Sequence, residues 1–111
     1  MPTVAIKSVD RDAVTRAVHV YVADLRAKHP EVGRVIWFGS WADGIPVPGS
    51  DVDLCVVLSA SDVPFRERVA RYLPFGFPVG VDLFPYTQAE LEDLRRSSPG
   101  WYEAMMRGQV L

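Results

Sequence analysis

The sequence predicts an α+β domain, a small mixed β-sheet flanked by helices, with elements in the order α-β-β-α-β-α-α. Apolar residues recur at three- and four-residue steps across residues 10–28, the period of an amphipathic helix. Short β-branched and aromatic runs end at Phe38, Leu58 and Phe84, as is typical of strands. Glycine and proline separate these runs, so helical and strand segments alternate along the chain.

Length and composition favour one domain over residues 1–111. The chain has 111 residues, of which 49% are hydrophobic and 23% charged, an ordinary globular composition. Twelve Lys and Arg residues stand against fourteen Asp and Glu residues, a formal net charge of −2. This balance argues against strong nucleic-acid binding and against a polybasic membrane binder. The single cysteine, Cys55, cannot form an intrachain disulfide.

Targeting signals are not evident. No apolar run approaches the roughly 20 residues that a membrane-spanning helix needs. The first residues lack the basic start, apolar stretch and cleavage site of a signal peptide. We therefore expect a cytoplasmic protein that does not insert into membranes.

The first half of the chain reads as a helix followed by two strands. The helix is expected from Asp10, its N-cap, to Lys28, and His29-Pro30 ends it because the residue before proline disfavours the α region. Strands are expected over residues 34–38 and 51–58. The glycine- and proline-rich stretch 39–50 between them reads as a loop with room for one helical turn.

The second half continues with a helix, a strand and two helices. A helix over residues 62–73 is expected to be capped by Ser61 or Asp62, and a strand is expected over residues 79–84. Thr87 and Glu90 have the spacing of a capping box and predict the third helix. The last helix is expected over residues 101–107, introduced by Ser98-Pro99 and stopped at Gly108.

The most informative residues are acidic and lie on two of the strands. Asp51 and Asp53 share one face of a strand, with Cα atoms about 6.6 Å apart, because side chains alternate along it. On the third strand, Gly80 and Asp82 share one face. Adjacent strands lie about 4.8 Å apart, so Asp82 can lie beside the first pair.

Three carboxylates that face one space repel one another, and either a raised pKa or a bound cation relieves the repulsion. An all-oxygen donor set suits Mg²⁺ or Mn²⁺ and not zinc. Because Mg²⁺ completes its coordination with water and substrate phosphate, these acids predict a phosphate-bearing substrate.

The loop before these acids also predicts a phosphate ligand. Gly39-Ser40 directly follows a strand. Glycine lets the backbone approach a ligand closely, and serine offers a hydroxyl and an amide to phosphate oxygens. Free N–H groups of a helical turn starting near Ser40 would face the same anion.

Together these residues resemble the nucleotidyltransferase superfamily that includes DNA polymerase β. Its pattern is a hydrophobic residue, Gly-Ser, a spacer, Asp-hydrophobic-Asp and a later carboxylate, here Phe38, Gly39-Ser40, Asp51-Val52-Asp53 and Asp82. The chain is most similar to the minimal nucleotidyltransferases, which often read Gly-Ser-x-Ala-Arg-Gly and then Ser-Asp-x-Asp-Leu. The matching positions are Gly39, Ser40, Ala42, Gly44, Ser50, Asp51, Asp53 and Leu54.

The resemblance implies roles for these residues. Asp51, Asp53 and Asp82 would be the catalytic carboxylates and would hold Mg²⁺ or Mn²⁺. Nucleotide binding would fall to the group Gly39, Ser40 and Ser50. The implied reaction transfers a nucleotidyl group, AMP where ATP is the NTP substrate, to an acceptor hydroxyl.

One position departs from the family pattern. Asp43 stands where the family usually has arginine, which removes one phosphate ligand and adds a charge that repels a triphosphate. The compensating positive charge could come from Arg34, Arg66 or Arg107.

Two functions remain open at this level. Minimal nucleotidyltransferases often pair with a HEPN-domain partner in toxin–antitoxin modules, so the resemblance implies an enzyme that modifies such a partner. The alternative is an antitoxin-like module that neutralises its partner by contact, with weak or lost catalysis. With either function the protein could form a homo- or hetero-oligomer. The role of Trp41 also remains open. This residue lies beside the predicted site, where it could stack on a base, contact a partner or fill a local gap in the packing.

Overall fold

The computed structural model describes residues 11–44 and 50–111. The helices within these residues are α1 (Arg11–Lys28), α2 (Phe65–Tyr72), α3 (Gln88–Ser97) and α4 (Pro99–Met106). The strands are β1 (Val32–Phe38), β2 (Val52–Leu58), β3 (Val81–Thr87) and β4 (Gln109–Val110).

The four strands form one mixed sheet in the order β3-β2-β1-β4. β1 runs antiparallel to both β2 and β4. β2 and β3 are parallel, and α2 lies in the connection between them. The predicted α+β class with a mixed sheet and flanking helices is confirmed.

Helices cover both faces of the sheet. α1 packs against one face, where its buried residues Val14, Val18 and Leu25 join the apolar side chains of β1 and β2. Leu91 of α3 and Met105 of α4 pack against the other face. Both faces of β1 and β2 are therefore buried, which explains their nearly unbroken apolar sequences.

A buried arginine on α2 forms hydrogen bonds with β3, at the edge of the sheet, and with α3. Arg68 is only 5% exposed, and its guanidinium donates to both carboxylate oxygens of Glu90, at 2.6 and 3.0 Å. Glu90 also accepts from the backbone N–H of Thr87, so one carboxylate serves the ion pair and the capping box that begins α3. The predicted capping box is confirmed, whereas the ion pair was not predicted.

Several boundaries differ from the sequence-based expectations. β3 continues through Pro85, where an ending at Phe84 was expected. Proline is tolerated because β3 is an edge strand; the Pro85 carbonyl accepts from Arg68 at 3.0 Å instead of from another strand. α2 is shorter than expected, and neither Ser61 nor Asp62 caps it: Pro64 is the N-cap and makes no side-chain cap hydrogen bond.

The chain ends also differ in detail from the expectation. The last helix begins two residues earlier than expected, at Pro99, and the short strand β4 was not predicted at all. The expected N-cap of the first helix, Asp10, lies outside the described residues. Within the described ranges, no helix combines the length and apolar character required to cross a bilayer.

Candidate active site

The sheet places two of the predicted acidic residues side by side. Asp53 near the start of β2 is the register partner of Asp82 on parallel β3 and of Phe38 at the end of antiparallel β1. Residues in register on adjacent strands point to the same face and lie about 4.8 Å apart. Cys55 and Phe84, two positions further along each strand, belong to the core beneath α3 and α4. Asp53 and Asp82 therefore face this side of the sheet.

Asp51 completes the cluster from just before β2, two residues before Asp53. Burial first, and then the charges of Asp82 and Asp51, together raise the pKa of Asp53 to about 6. The pKa of Asp82 is raised by burial first, then by the charge of Asp51 and a hydrogen bond with it. Either a proton or a bound cation relieves the repulsion between such carboxylates.

Two glycines make room for the carboxylates. A Cβ built on Gly39 would overlap Oδ2 of Asp53, and one built on Gly80 would overlap Oδ1 of Asp51. Gly39 also has φ +82°, a left-handed conformation that other residues rarely adopt. Gly39 was expected to let the backbone approach a ligand; in the structure, the carboxylate of Asp53 occupies the space that a side chain at position 39 would need.

The expected helical turn forms immediately after Gly39. The amide of Asp43 donates to the Gly39 carbonyl at 3.0 Å, and the amide of Gly44 donates to the Trp41 carbonyl at 3.2 Å. The first amides of such a turn, starting with that of Ser40, have no acceptor within the turn itself. Part of the spacer, residues 45–49, lies outside the described residues.

Trp41 has a structural role in this turn. Its side chain is buried, and Nε1 donates to the carbonyl of Ser50 at 3.0 Å, which joins the two ends of the loop next to the acids. The guanidinium of Arg11 lies 5.9 Å from the centre of the indole and donates to the carbonyl of Gly44. Of the three roles left open by the sequence, filling a local gap is therefore the one observed.

The three acids do not form a complete coordination site for a metal ion. Across residues 11–44 and 50–111, no three acidic, histidine or cysteine side chains surround one point closely enough to be a finished metal site. Asp53 and Asp82 are nevertheless register partners, Asp51 lies two residues before Asp53, and the charge of Asp51 contributes to the raised pKa of both. An open set fits Mg²⁺, which takes one or two protein carboxylates and completes its octahedron with water and phosphate. Asp51, Asp53 and Asp82 would hold the ion, and their catalytic role remains a prediction.

The predicted nucleotide-binding residues lie around the same edge of the sheet. Gly39 and Ser40 begin the turn, and Ser50 leads directly into Asp51. Ser40 and Ser50 are both half-buried. Their contact with a nucleotide remains a prediction.

A cavity of about 250 Å³ lies next to this turn. Its walls come from the end of β1, from the turn and from the end of α4, and its lining residues are Phe38, Gly39, Asp43, Ala104, Arg107 and Gly108. Arg107 is one of three arginines proposed from the sequence to replace the positive charge missing at position 43. Of these three, it is the one that lines this cavity. The sequence did not indicate that position 108 needs a glycine for close packing. The structure shows it, because a Cβ there would overlap the Trp37 carbonyl.

Comparisons with known proteins give the fold and the family of this chain. A search of curated proteins found no match. A solved structure of a candidate nucleotidyltransferase from Sulfolobus solfataricus has a TM-score of 0.57 and 21% identity, over 84% of this chain and 82% of that one. At this identity the likeness shows the shared fold. The sequence model of the nucleotidyltransferase domain matches residues 21–98, more than half of the chain. The chain therefore belongs to the nucleotidyltransferase domain family.

Proposed function

We propose that this protein is a Mg²⁺-dependent nucleotidyltransferase that transfers AMP from ATP to a hydroxyl group of a partner protein. The observation that carries the proposal is the register pairing of Asp53 with Asp82, with Asp51 in electrostatic contact and Gly39 packed against Asp53. In a nucleotidyltransferase domain, such a cluster beside a Gly-Ser turn is suited to a metal-bound triphosphate.

The proposed reaction needs little covalent chemistry from the protein. The acceptor oxygen forms a bond to the α-phosphorus, the bond from that phosphorus to the bridging oxygen breaks, and pyrophosphate leaves. Asp82 accepts the proton of the acceptor hydroxyl, which suits a carboxylate whose pKa is raised. Bound Mg²⁺ would supply Lewis-acid stabilisation of charge on the phosphate oxygens. The Gly39-Ser40 turn would position the triphosphate.

An apolar groove supports a protein as the acceptor. The groove lies between α1 and the segment that follows α2, has a volume of about 830 Å³ and exposes Val20, Leu73 and the whole side chain of Phe75. Exposed apolar surface of this kind marks interaction sites. Arg16 and Arg71 also line it, whereas Asp24, the one acidic residue among the described residues of its lining, pairs with Lys28 at 3.1 Å. We therefore expect a partner that inserts apolar side chains flanked by acidic ones, and a HEPN-domain toxin is the candidate that the family resemblance suggests.

Transfer of a radioactive label tests this activity. The wild type is incubated with Mg²⁺, ATP labelled at the α-phosphate and the protein encoded by the adjacent gene. We expect label on the partner, and its loss in Asp53→Asn. Asp93→Asn on the exposed face of α3 is the matched control and should keep full transfer. Equal labelling by the wild type and Asp53→Asn would contradict the proposal.

A second candidate function is neutralisation of the partner by contact alone. Asp43 favours it, because this exposed carboxylate lies on the wall of the cavity beside the turn and weakens attraction for a triphosphate. In this case inhibition of the partner survives Asp53→Asn, and no label is transferred. Phe75→Ser, at a fully exposed position of the groove, should then abolish the inhibition without unfolding the protein.

A further inference from the structure

The cavity between the Gly39 turn and the end of α4 lies next to the residue that packs against Asp53. That residue is Gly39, which lines the cavity and whose backbone lies against the carboxylate of Asp53. The three acids do not line the cavity, but Phe38 on its wall is the register partner of Asp53, so the cavity lies beside the acids. At about 250 Å³, the cavity is smaller than the roughly 300–1,000 Å³ of pockets that enclose whole ligands. It is suited to one part of a nucleotide.

Arg107 gives this cavity its positive charge. Across residues 11–44 and 50–111 its guanidinium makes no hydrogen bond or ion pair, and its side chain is exposed. The backbone of the same residue is fixed as the C-cap of α4, where its N–H donates to the Glu103 carbonyl. The position is thus anchored while the five N–H donors of the guanidinium remain available.

Arg34 and Arg66, the other two arginines proposed from the sequence, do not line the cavity, and neither does Arg11. Arg34 precedes Phe38 by four residues on β1, about 13 Å along a strand. Arg66 is on α2, which follows the end of β2 opposite to Asp53. Arg11 already donates to the carbonyl of Gly44 and does not line the cavity.

The chemistry of the lining favours phosphate over a base. Among the described residues that line the wall, Phe38 is the one aromatic residue. It is buried, and its ring packs against Phe84 and Trp101, so it offers no free face for stacking. A free guanidinium binds phosphate oxygens through paired hydrogen bonds. Asp43 on the same wall disfavours a bare anion, but a polyphosphate whose charge is partly neutralised by Mg²⁺ is repelled less.

We propose that this cavity is the subsite for the β- and γ-phosphates of the NTP, and that Arg107 binds them in place of the arginine absent at position 43. The proposal rests on the proposed nucleotidyltransferase function and names the residue that completes its triphosphate site. Arg107 acts here by binding the substrate and the pyrophosphate that leaves.

Calorimetric titration with magnesium tripolyphosphate tests the subsite without any contribution from a base. The wild type should bind, Arg107→Gln should bind about tenfold more weakly, and Arg107→Lys should fall between them because a point charge remains. Arg96→Gln is the matched control, since Arg96 is exposed on α3 and paired with Asp93 at 2.6 Å. Its affinity should equal that of the wild type.

Three outcomes would overturn the subsite. The first is equal affinity of the wild type and Arg107→Gln for magnesium tripolyphosphate, and the second is no binding of tripolyphosphate by the wild type. The third is weaker binding of adenosine to Arg107→Gln than to the wild type, which would place the nucleoside in the cavity.

Label transfer by the wild type is measured separately. If transfer occurs but Arg107→Gln changes neither tripolyphosphate affinity nor the KM for ATP, the subsite is wrong and the nucleotidyltransferase function stands. If transfer is absent while Arg107→Gln weakens tripolyphosphate binding, the subsite stands and the catalytic proposal is wrong.

Discussion

The backbone of Gly80 lies against the carboxylate of Asp51, so that a Cβ at position 80 would overlap Oδ1 and reach within 3.0 Å of Cγ. Gly80 precedes β3 and Asp51 precedes β2, and the amide of Val52 donates to the Gly80 carbonyl at 2.9 Å. The absence of a side chain at position 80 therefore determines where the Asp51 carboxylate can lie.

We predict that Gly80→Ala weakens Mg²⁺ binding while the protein stays folded. The backbone of Gly80 is outside the left-handed region, so alanine is allowed there, and the flexible carboxylate of Asp51 must turn away. Displacing a residue that orients a ligand typically lowers metal affinity about 10- to 100-fold. The rise in melting temperature caused by MgCl₂ with ATP should therefore shrink, whereas the melting temperature in EDTA should stay close to that of the wild type.

Gly100→Ala is the control for this substitution. Nothing lies within 4 Å of a Cβ built at Gly100, which is in α4 and has no positive φ. Its response to Mg²⁺ and ATP should equal that of the wild type. An undiminished response in Gly80→Ala would mean that the position of Asp51 does not matter for binding.

We predict that Asp53→Asn stabilises the metal-free protein at neutral pH. The pKa of Asp53 in the folded protein is about 6, above the roughly 3.9 of an unfolded chain. Its contribution to stability is therefore full below pH 4 and is lost as the pH rises through 6. An amide carries no charge at any pH, so the gain at pH 7.5 should be about 1 kcal/mol after allowance for solvent screening.

Melting temperatures in EDTA across pH 5 to 8 check this sign. The difference between Asp53→Asn and the wild type should grow as the pH rises through 6, to about 4–8 °C. The same substitution should remove the response to Mg²⁺, so stability and metal binding would change in opposite directions. A variant less stable than the wild type at pH 7.5 would contradict the repulsion on which the site depends.

The acidic pair could be predicted because it depends on the strand period alone. Asp51 and Asp53 are two residues apart on one strand, so their side chains share a face. Asp82 lies on another strand that also alternates, so it was expected beside them. The in-register pairing of Asp53 with Asp82 could not be predicted, because it depends on how α2 returns the chain to the sheet. The sequence was therefore enough to predict the strands, whereas the register between them required the tertiary structure.

Features that depend on distant packing were not readable from the sequence. Arg68 carries no signal in the sequence that sets it apart, yet it is buried against Glu90, 22 residues later. Gln109–Val110 is too short to show any period, although pairing with β1 makes it a strand. Arg107 could be named as a candidate cation, but only the packing of α4 beside the end of β1 places it in the cavity with Gly39.

We predict that neutralising Asp43 strengthens binding of magnesium ATP. Asp43 is exposed and lines the cavity that holds Arg107, so its charge opposes that of a triphosphate. Affinity should rise about threefold in Asp43→Asn and about tenfold in Asp43→Arg, and salt should reduce both gains. The check is calorimetry at low and high ionic strength, with Asp62→Asn, near α2, as a control that should not change affinity. Tighter binding by Asp62→Asn to the same degree would show that only net charge matters.

We predict that the Arg68–Glu90 ion pair gives the fold an acid-sensitive stability. The hydrogen bonds and the charge of Arg68 hold the pKa of Glu90 below its usual value. The contribution of Glu90 is therefore present above a pH of about 4.3 and is lost as the pH falls through its folded-state pKa. Glu90→Gln keeps a side chain that can complete the capping box but leaves the buried Arg68 without a charged partner.

Urea unfolding at pH 7 and at pH 3 checks this prediction. At pH 7 Glu90→Gln should lower the free energy of unfolding by about 2 kcal/mol, less than for a fully buried pair because Glu90 is partly exposed. At pH 3 the difference from the wild type should narrow, because Glu90 then carries a proton part of the time. Glu92→Gln, in the exposed pair with Arg95 on the same helix, should change stability by less than 0.5 kcal/mol or so at either pH. An equal loss in both variants would mean that helix charge, and not the buried pairing of α2 with α3, accounts for the effect.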